Sequence, residues 1–338
     1  MKSIKTLLAF AFAACSLVCL AAPAQAQTPD KDLRFALDFI PLGRHAPWYV
    51  ALSKGYFKQE HLNVTILPTK GTADAVRYLE SGLADMGFID IPSLVASGSA
   101  GSTTKIVASV YQKPPYCVFS LNPGANVSSP KDMVGLEIGS SSASFMPRIY
   151  AAFMTMNGLD PSTLKIVNID GAARVPMLVA RKVPAIDQFI MGEPSIKRAA
   201  GDAQAKCLLL GDYGLDIYAN SIGVKDEFLK NNPEAVRGFI RAAFRGWKDA
   251  LANPEEAAAI QVQYLKALDP QIIADELRIL RRIAITPDVT QKGFGTISRD
   301  KLIRTVQFIN DNVEVPGTKL TADGIFVDGY LPSPPIKP

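Results

Sequence analysis

The sequence predicts a two-lobed α/β protein, each lobe a mostly parallel sheet covered by helices. Three observations lead there. Residues 33–90 read strand–helix–strand–helix–strand, the order that builds a helix-covered parallel sheet. Residues 134–190 repeat that order. At a shift of 99 residues Val76 and Leu79 fall on Val175 and Leu178, and the strands after the two helices coincide. The last third reads as amphipathic helix. With 338 residues, 48% hydrophobic and 20% charged, the chain has the length of about two domains and a globular composition.

The chain opens with Lys2 and Lys5, an apolar run from Leu7 to Ala22, and Ala24-Gln25-Ala26. A basic start, a short apolar middle and an A-x-A exit describe a secretory signal peptide over residues 1–26. The run is shorter than the ~20 residues of a membrane-spanning helix, and no later segment approaches it, which excludes an integral membrane protein. Cleavage after Ala26 leaves 312 residues with a net charge of +2. That balance, with no long basic run, gives no footing for nucleic acid. Cys117 and Cys207 are the only cysteines left, and the spacing does not say whether they pair.

Residues 33–40 alternate and read as a strand. Residues 45–57 read as a helix that Lys54-Gly55-Tyr56-Phe57 stops. Residues 62–67 are a strand. Gly71-Thr72 opens a helix with Thr72 as the N-cap candidate, and 85–90 is a short buried strand. In the second unit, 134–139 is a strand and the serines from Ser140 to Ser144 open a helix to about Met156. Residues 164–169, 172–181 and 185–190 then give strand, helix and strand. Asn232-Pro233-Glu234 and Asn253-Pro254-Glu255 place a cap, a proline and an acid at two helix starts. Residues 271–284 and 298–311 are two more amphipathic helices. The tail 331–338 holds four prolines and is expected not to pack.

This order assigns 27–118 to lobe one, 119–222 to lobe two and 223–330 to a return onto lobe one. Residues 116–121 and 217–224 are the expected crossings. A ligand would sit between the lobes, at the carboxyl ends of the strands.

Catalytic and metal signatures are missing. With only His45 and His61 there is no H-x-x-x-H spacing and no C-x-x-C, so no metal site is expected. No G-x-S-x-G, no phosphate loop and no dinucleotide fingerprint occurs, and no cofactor is expected. Binding features are richer. Arg44, His45, Trp48 and Tyr49 follow the first strand, offering donors and flat rings, and Trp48 is expected to stack on a ligand. Gly71-Thr72 and Ser140, Ser141, Ser142 and Ser144 lie where strands give way to helices, suited to an approaching oxyanion or ring carbonyl. Asp38, Asp90 and Asp187 interrupt strands that are otherwise apolar, and an acid there can face the crevice. Gln188 and Glu193 follow in the same loop; Tyr116 and Tyr218 sit at the crossings.

Four stretches carry a resemblance: HAPWYVALSKGYFKQEHLNVTI, GTADAVRYLESGLADMGFID, VGLEIGSSSASFMPRIYAAFMTMNGLD and NNPEAVRGFIRAAFRGWKDALANPEEAA. Together they cover most of residues 33–260 and resemble the periplasmic solute-binding proteins of ABC importers, in the branch serving thiamine-pyrimidine precursors, sulfonates, taurine and nitrate. The resemblance implies a type II fold that closes like a hinged trap, a periplasmic location, no catalysis, and an inner-membrane permease with its ATPase as partners. It implies ligand contacts from Phe39 to Trp48, the Gly71-Thr72 turn, Asp90, Ser140 to Ser144, and Asp187 to Glu193. The chain departs from the family at Pro184, where an acid is usual. It also lacks the cysteine-rich motif of the eukaryotic pyrimidine synthases on this fold. A monomeric receptor for a pyrimidine-like or aromatic solute is the expectation. A receptor for a sulfonate, taurine or nitrate-type anion is the alternative, ahead of a pyrimidine-forming enzyme.

Overall fold

Two five-stranded sheets with the same strand order organise the chain. The computed structural model describes residues 30–97, 103–142, 144–315 and 317–338, so the leader read over 1–26 lies outside the described residues. The strands are β1 (Lys31–Ala36), β2 (Leu62–Leu67), β3 (Met86–Asp90), β4 (Thr104–Ser109), β5 (Tyr116–Asn122), β6 (Glu137–Ser140), β7 (Lys165–Asn168), β8 (Ala185–Phe189), β9 (Gln204–Leu209) and β10 (Asn220–Lys225). The first sheet runs β2-β1-β3-β10-β4 and the second β7-β6-β8-β5-β9. β1 is parallel to β2 and β3, and β6 to β7 and β8. One strand in each sheet runs the other way: β10 lies antiparallel between β3 and β4, and β5 between β8 and β9.

The segments expected to be crossings are therefore strands inside the sheets. β5 and β10 are buried on both faces along nearly their whole length, as central strands must be, and the chain passes between lobes in residues 110–115 and 210–219. The repeat holds in detail. Shifted by 99 residues, helix Thr72–Glu80 falls on the turn Gly171–Ala173 and helix Arg174–Val179, and β3 falls on β8 residue for residue.

Within the first lobe the strand expected to reach residue 40 ends at Ala36, and 37–40 leave the sheet toward the second lobe. The helix expected over 45–57 is broken. Ala46–Ser53 ends before Gly55, whose φ of +69° turns the chain, and Tyr56–Gln59 resumes it. Thr72 begins its helix without capping it. Helix Ile91–Ser97 and β4 had no sequence assignment.

The helical third covers the first sheet. Helix Pro233–Ala252 buries Val236, Phe239, Ile240, Ala243, Phe244, Trp247 and Leu251, the positions its period marks. It lies close to helix Ala46–Ser53 because Gly246 lacks a side chain; a Cβ there would stand 2.5 Å from the Pro47 carbonyl oxygen. Helices Pro270–Ala284 and Arg299–Asn312 follow, capped by Asp269 and Ser298. The tail packs, contrary to expectation. Phe294 N–H donates to the Ile336 carbonyl at 2.8 Å, Lys248 Nζ reaches the Lys337 carbonyl at 2.9 Å, and Leu331 and Ile336 rest on the core. Its prolines extend the segment without removing the carbonyls that accept these bonds.

Cys117 on β5 and Cys207 on β9 form a disulfide, with Cα atoms 5.7 Å apart. It closes a loop of 90 residues. Replacing both by serine is expected to lower stability by about 2–4 kcal/mol, read as a lower urea midpoint with a slope that rises as the unfolded chain expands. An unchanged midpoint would show that the loop constraint contributes nothing.

Candidate ligand-binding site

A cleft opens at the carboxyl ends of the parallel strands of both sheets. The loop after β1 brings Asp38, Phe39 and Arg44 to it, the turn after β2 brings Gly71 and Thr72, and β3 ends in Asp90. From the second lobe come Tyr116, Ser144, Phe145, Arg174 and Phe189.

Asp38, only 1% exposed, is the centre of one network. Its Oδ2 accepts from Arg44 Nη2 at 2.9 Å and Asn220 Nδ2 at 3.0 Å; its Oδ1 meets His45 Nε2 at 2.6 Å. His45 Nδ1 accepts from the Leu42 backbone N–H at 2.9 Å, so the ring is the Nε2–H tautomer and donates to Asp38. Burial and the Arg44 charge push His45 down to about 4, keeping it neutral. Burial works against ionising Asp38, but the Arg44 charge and the His45 hydrogen bond hold it down to about 2. The carboxylate has about four acceptor positions, and three are taken.

Asp90 has no cation among its hydrogen-bond partners. It accepts from Tyr116 Oη at 2.5 Å, Ser93 N–H at 2.9 Å and Ser93 Oγ at 2.8 Å. Burial raises it to about 6 against those bonds. Thr72 Oγ1 lies 2.8 Å from Ser93 Oγ, which links the Gly71-Thr72 turn to Asp90.

Asp187 is buried behind the cleft wall of the second lobe. It accepts from Ser140 Oγ at 2.5 Å, Ser144 Oγ at 2.7 Å and Arg174 Nη1 at 2.5 Å. Its task is to hold Arg174, whose guanidinium lies 5.6 Å from the Phe39 ring centre. Arg44 lies 5.9 Å from the same ring and 5.2 Å from that of Phe189. Phe39 crosses to the second lobe, where the absence of a Gly171 side chain makes room; a Cβ there would sit 2.8 Å from the ring.

The structure brings Asp38, Phe39, Arg44, Gly71, Thr72, Asp90, Tyr116, Ser141, Ser144 and Gln188 together on the cleft. Ser142 lies further out, at the mouth, with Lys70 and Arg77. Five residues are placed elsewhere. Trp48 is buried in the core, its ring 4.7 Å from Phe35, 5.3 Å from Phe88 and 5.4 Å from Trp247. His45, Ser140 and Asp187 stand behind the wall and orient other groups. Glu193 pairs with Lys197 one helical turn on. A sixth, Tyr218, accepts from Ser298 N–H at 2.8 Å, away from the crevice. The serine-rich helix start does not await an anion: two of its hydroxyls are turned to Asp187.

Reading the sequence missed Lys70, Arg174 and Phe189 on the cleft wall, and Asn220 and Glu276 behind it. Phe189 was within reach, since it ends β8 where Asp90 ends β3, whereas Arg174 opens helix Arg174–Val179 and no strand-end pattern marks it. Glu276 also had a signal: it is an acid on the apolar stripe of Ile273, Leu277 and Leu280. Its Oε2 accepts the Arg44 backbone N–H at 3.0 Å, and burial raises it to about 7. Among the described residues no group of three His, Cys, Asp or Glu side chains could hold a metal.

Two sheets of matched order with a cleft at their strand ends define the class: this is the two-lobed fold of periplasmic binding proteins. The alkanesulfonate-binding protein SsuA of Xanthomonas axonopodis pv. citri, bound to MOPS, superposes with a TM-score of 0.68 over 89% of this chain and all of that one, at 12% identity. The family model described as NMT1/THI5 like matches residues 43–257, and the chain belongs to that family. It is 29% identical to the riboflavin-binding protein RibY of Chloroflexus aurantiacus, over 78% of this chain and 74% of that protein. It is 26% identical to the formylaminopyrimidine-binding protein of Halalkalibacterium halodurans, over 65% and 67%. It is also 27% identical to the 4-amino-5-hydroxymethyl-2-methylpyrimidine phosphate synthase THI11 of Saccharomyces cerevisiae, over 67% and 68%. The relatives thus include both binding proteins and a synthase. No helix among the described residues is long and apolar enough to cross a membrane.

Proposed function

We propose that this protein is the extracytoplasmic substrate-binding component of an ABC importer, and that it traps a small planar nitrogen heterocycle of the pyrimidine class between its lobes. One observation carries the ligand class. Two buried carboxylates, Asp38 and Asp90, line the cleft together with the rings of Phe39, Tyr116, Phe145 and Phe189, and each has one acceptor position left beyond its three hydrogen bonds. Carboxylates accept from ring N–H and amino groups, and aromatic walls select flat solutes. The two guanidinium groups do not argue for an anion, because Asp38 and Asp187 already neutralise them. The riboflavin- and formylaminopyrimidine-binding relatives support the same class. Export through the leader would place the protein in the periplasm as a monomer that hands its ligand to a permease and its ATPase.

The test is native mass spectrometry of the mature protein purified without refolding, followed by calorimetry with a formylaminopyrimidine, riboflavin, an alkanesulfonate and nitrate. The expected result is 1:1 binding of a heterocycle and recovery of that ligand unchanged. Preference for the sulfonate or nitrate would overturn the ligand class, and a chemically altered ligand would move the protein to the synthase side of its family.

A further inference from the structure

Glu276 lies behind the cleft wall, and the ligand reading gives its carboxylate no task. It is buried on helix Pro270–Ala284, where a lone acid on an apolar face is costly unless something holds it. Two partners from different lobes do. Oε2 accepts the backbone N–H of Arg44, a cleft residue of the first lobe, at 3.0 Å. Oε1 accepts the hydroxyl of Ser195 at 3.2 Å. Ser195 lies on helix Glu193–Ala200, which follows β8 in the second lobe. The approach is tight: a Cβ on Gly43 would stand 2.9 Å from Oε2 and 2.7 Å from the Ile273 Cα. The same two helices are joined again by the Arg198–Asp269 ion pair.

We propose that Glu276 is a positioning residue that couples closure of the two lobes to the placement of Arg44 in the cleft. It depends on the trap reading only in requiring that the lobes can part. When helix Glu193–Ala200 docks, Ser195 and the Gly43–Arg44 loop are fixed to one carboxylate and the site around it is sealed from water. When the helix withdraws, the carboxylate loses its Ser195 donor and is hydrated, and the loop loses one of its anchors.

A sealed carboxyl holds its proton more tightly than a hydrated one. With Ser195 docked, burial raises Glu276 to about 7, above the usual carboxylate range to which undocking would return it. Closure therefore takes up a proton. The closed form gains as pH falls through 7 and weakens as pH rises. The charged and titratable groups facing Glu276 are Arg44, Tyr111 behind it, and Asp38 beyond Arg44. Those of helix Glu193–Ala200 pair elsewhere: Glu193 with Lys197, and Arg198 with Asp269. On its own helix, Asp275 and Arg278 pair at the surface. Asp90 is raised less, to about 6, so the window from pH 8 to 6.5 weights Glu276, and Glu276→Gln separates the two.

Small-angle scattering of the ligand-free mature protein at pH 8 and 6.5 tests this, fitted as a closed and an open form. The closed-to-open ratio is expected to rise about fourfold across that window in the wild type, and to stay constant in Glu276→Gln. Ser195→Ala should keep the dependence but shift its midpoint to higher pH, because the lost O–H donor favoured the ionised form. A Glu276→Gln variant that tracks the wild type, or a wild type that does not respond, overturns the coupling. If Glu276→Gln does not fold, an unmoved midpoint in Ser195→Ala rejects it. No ligand enters the measurement, so its failure leaves the proposed ligand class standing.

Discussion

Asp38→Asn is expected to destabilise the fold by about 3–5 kcal/mol and to abolish ligand capture. The substitution keeps the shape and reverses the hydrogen-bond logic. Three donors converge on this side chain: Arg44 Nη2, His45 Nε2–H and Asn220 Nδ2. An amide brings two more donors and only one acceptor oxygen. His45 cannot escape by changing tautomer, because its other nitrogen is held by Leu42 N–H. Arg44 loses its hydrogen-bonded counter-ion and keeps only the more distant Glu276 carboxyl. Urea unfolding reads the loss, and a second measurement identifies its cause. Asp38 is held down to about 2 in the folded protein, below its ordinary 3.8. The stability it contributes is present above about pH 4 and is lost as pH falls toward 2. That part of the acid sensitivity should vanish in the variant. A variant with wild-type stability would mean that the three donors find other partners.

Trp48→Ala is the second large effect, and it is expected to act on the fold rather than on the ligand. The indole is fully buried among Phe35, Phe88, Phe239 and Trp247. Removing it opens a large cavity, at a cost of about 3–5 kcal/mol. Its N–H has no hydrogen-bond partner, so Trp48→Phe loses packing volume but no bond and should cost about 1–2 kcal/mol. At a temperature where both variants remain folded, their ligand affinity should match the wild type. A selective loss of affinity would return Trp48 to the site.

Trp48 also shows where sequence reading ends. A ring one turn into a helix that begins beside a cleft can face the core or the ligand, and both choices leave the same letters. The expectation chose the ligand, and the core took the ring. Asp38, Asp90 and Asp187 were legible for the opposite reason: an acid at the end of an apolar strand breaks a pattern. Even so, the pattern could not separate Asp38 and Asp90, which face the cleft, from Asp187, which holds Arg174. Of the expected caps Asn253 accepts from Glu256 N–H, while Thr72 and Asn232 make no capping bond. The lobes and the repeat followed from local periodicity. The places of β5 and β10 did not. Each lies between strands far away in sequence, and nothing in a run such as YCVFSLN records which strands will flank it.

That exchange of strands fixes an order of assembly. β3 and β4 are not neighbours in their sheet; β10, more than a hundred residues later, fills the gap between them. An amino-terminal fragment that stops short of Asn220 presents two open strand edges where the finished molecule has a continuous ladder. The first lobe thus stays incomplete until most of the chain has been made. A polypeptide that must be threaded through a translocation pore before it folds gains from such a delay, since contacts between distant segments form late and slowly. For a chain exported as proposed, the topology that builds the two lobes would also keep the nascent chain pliable.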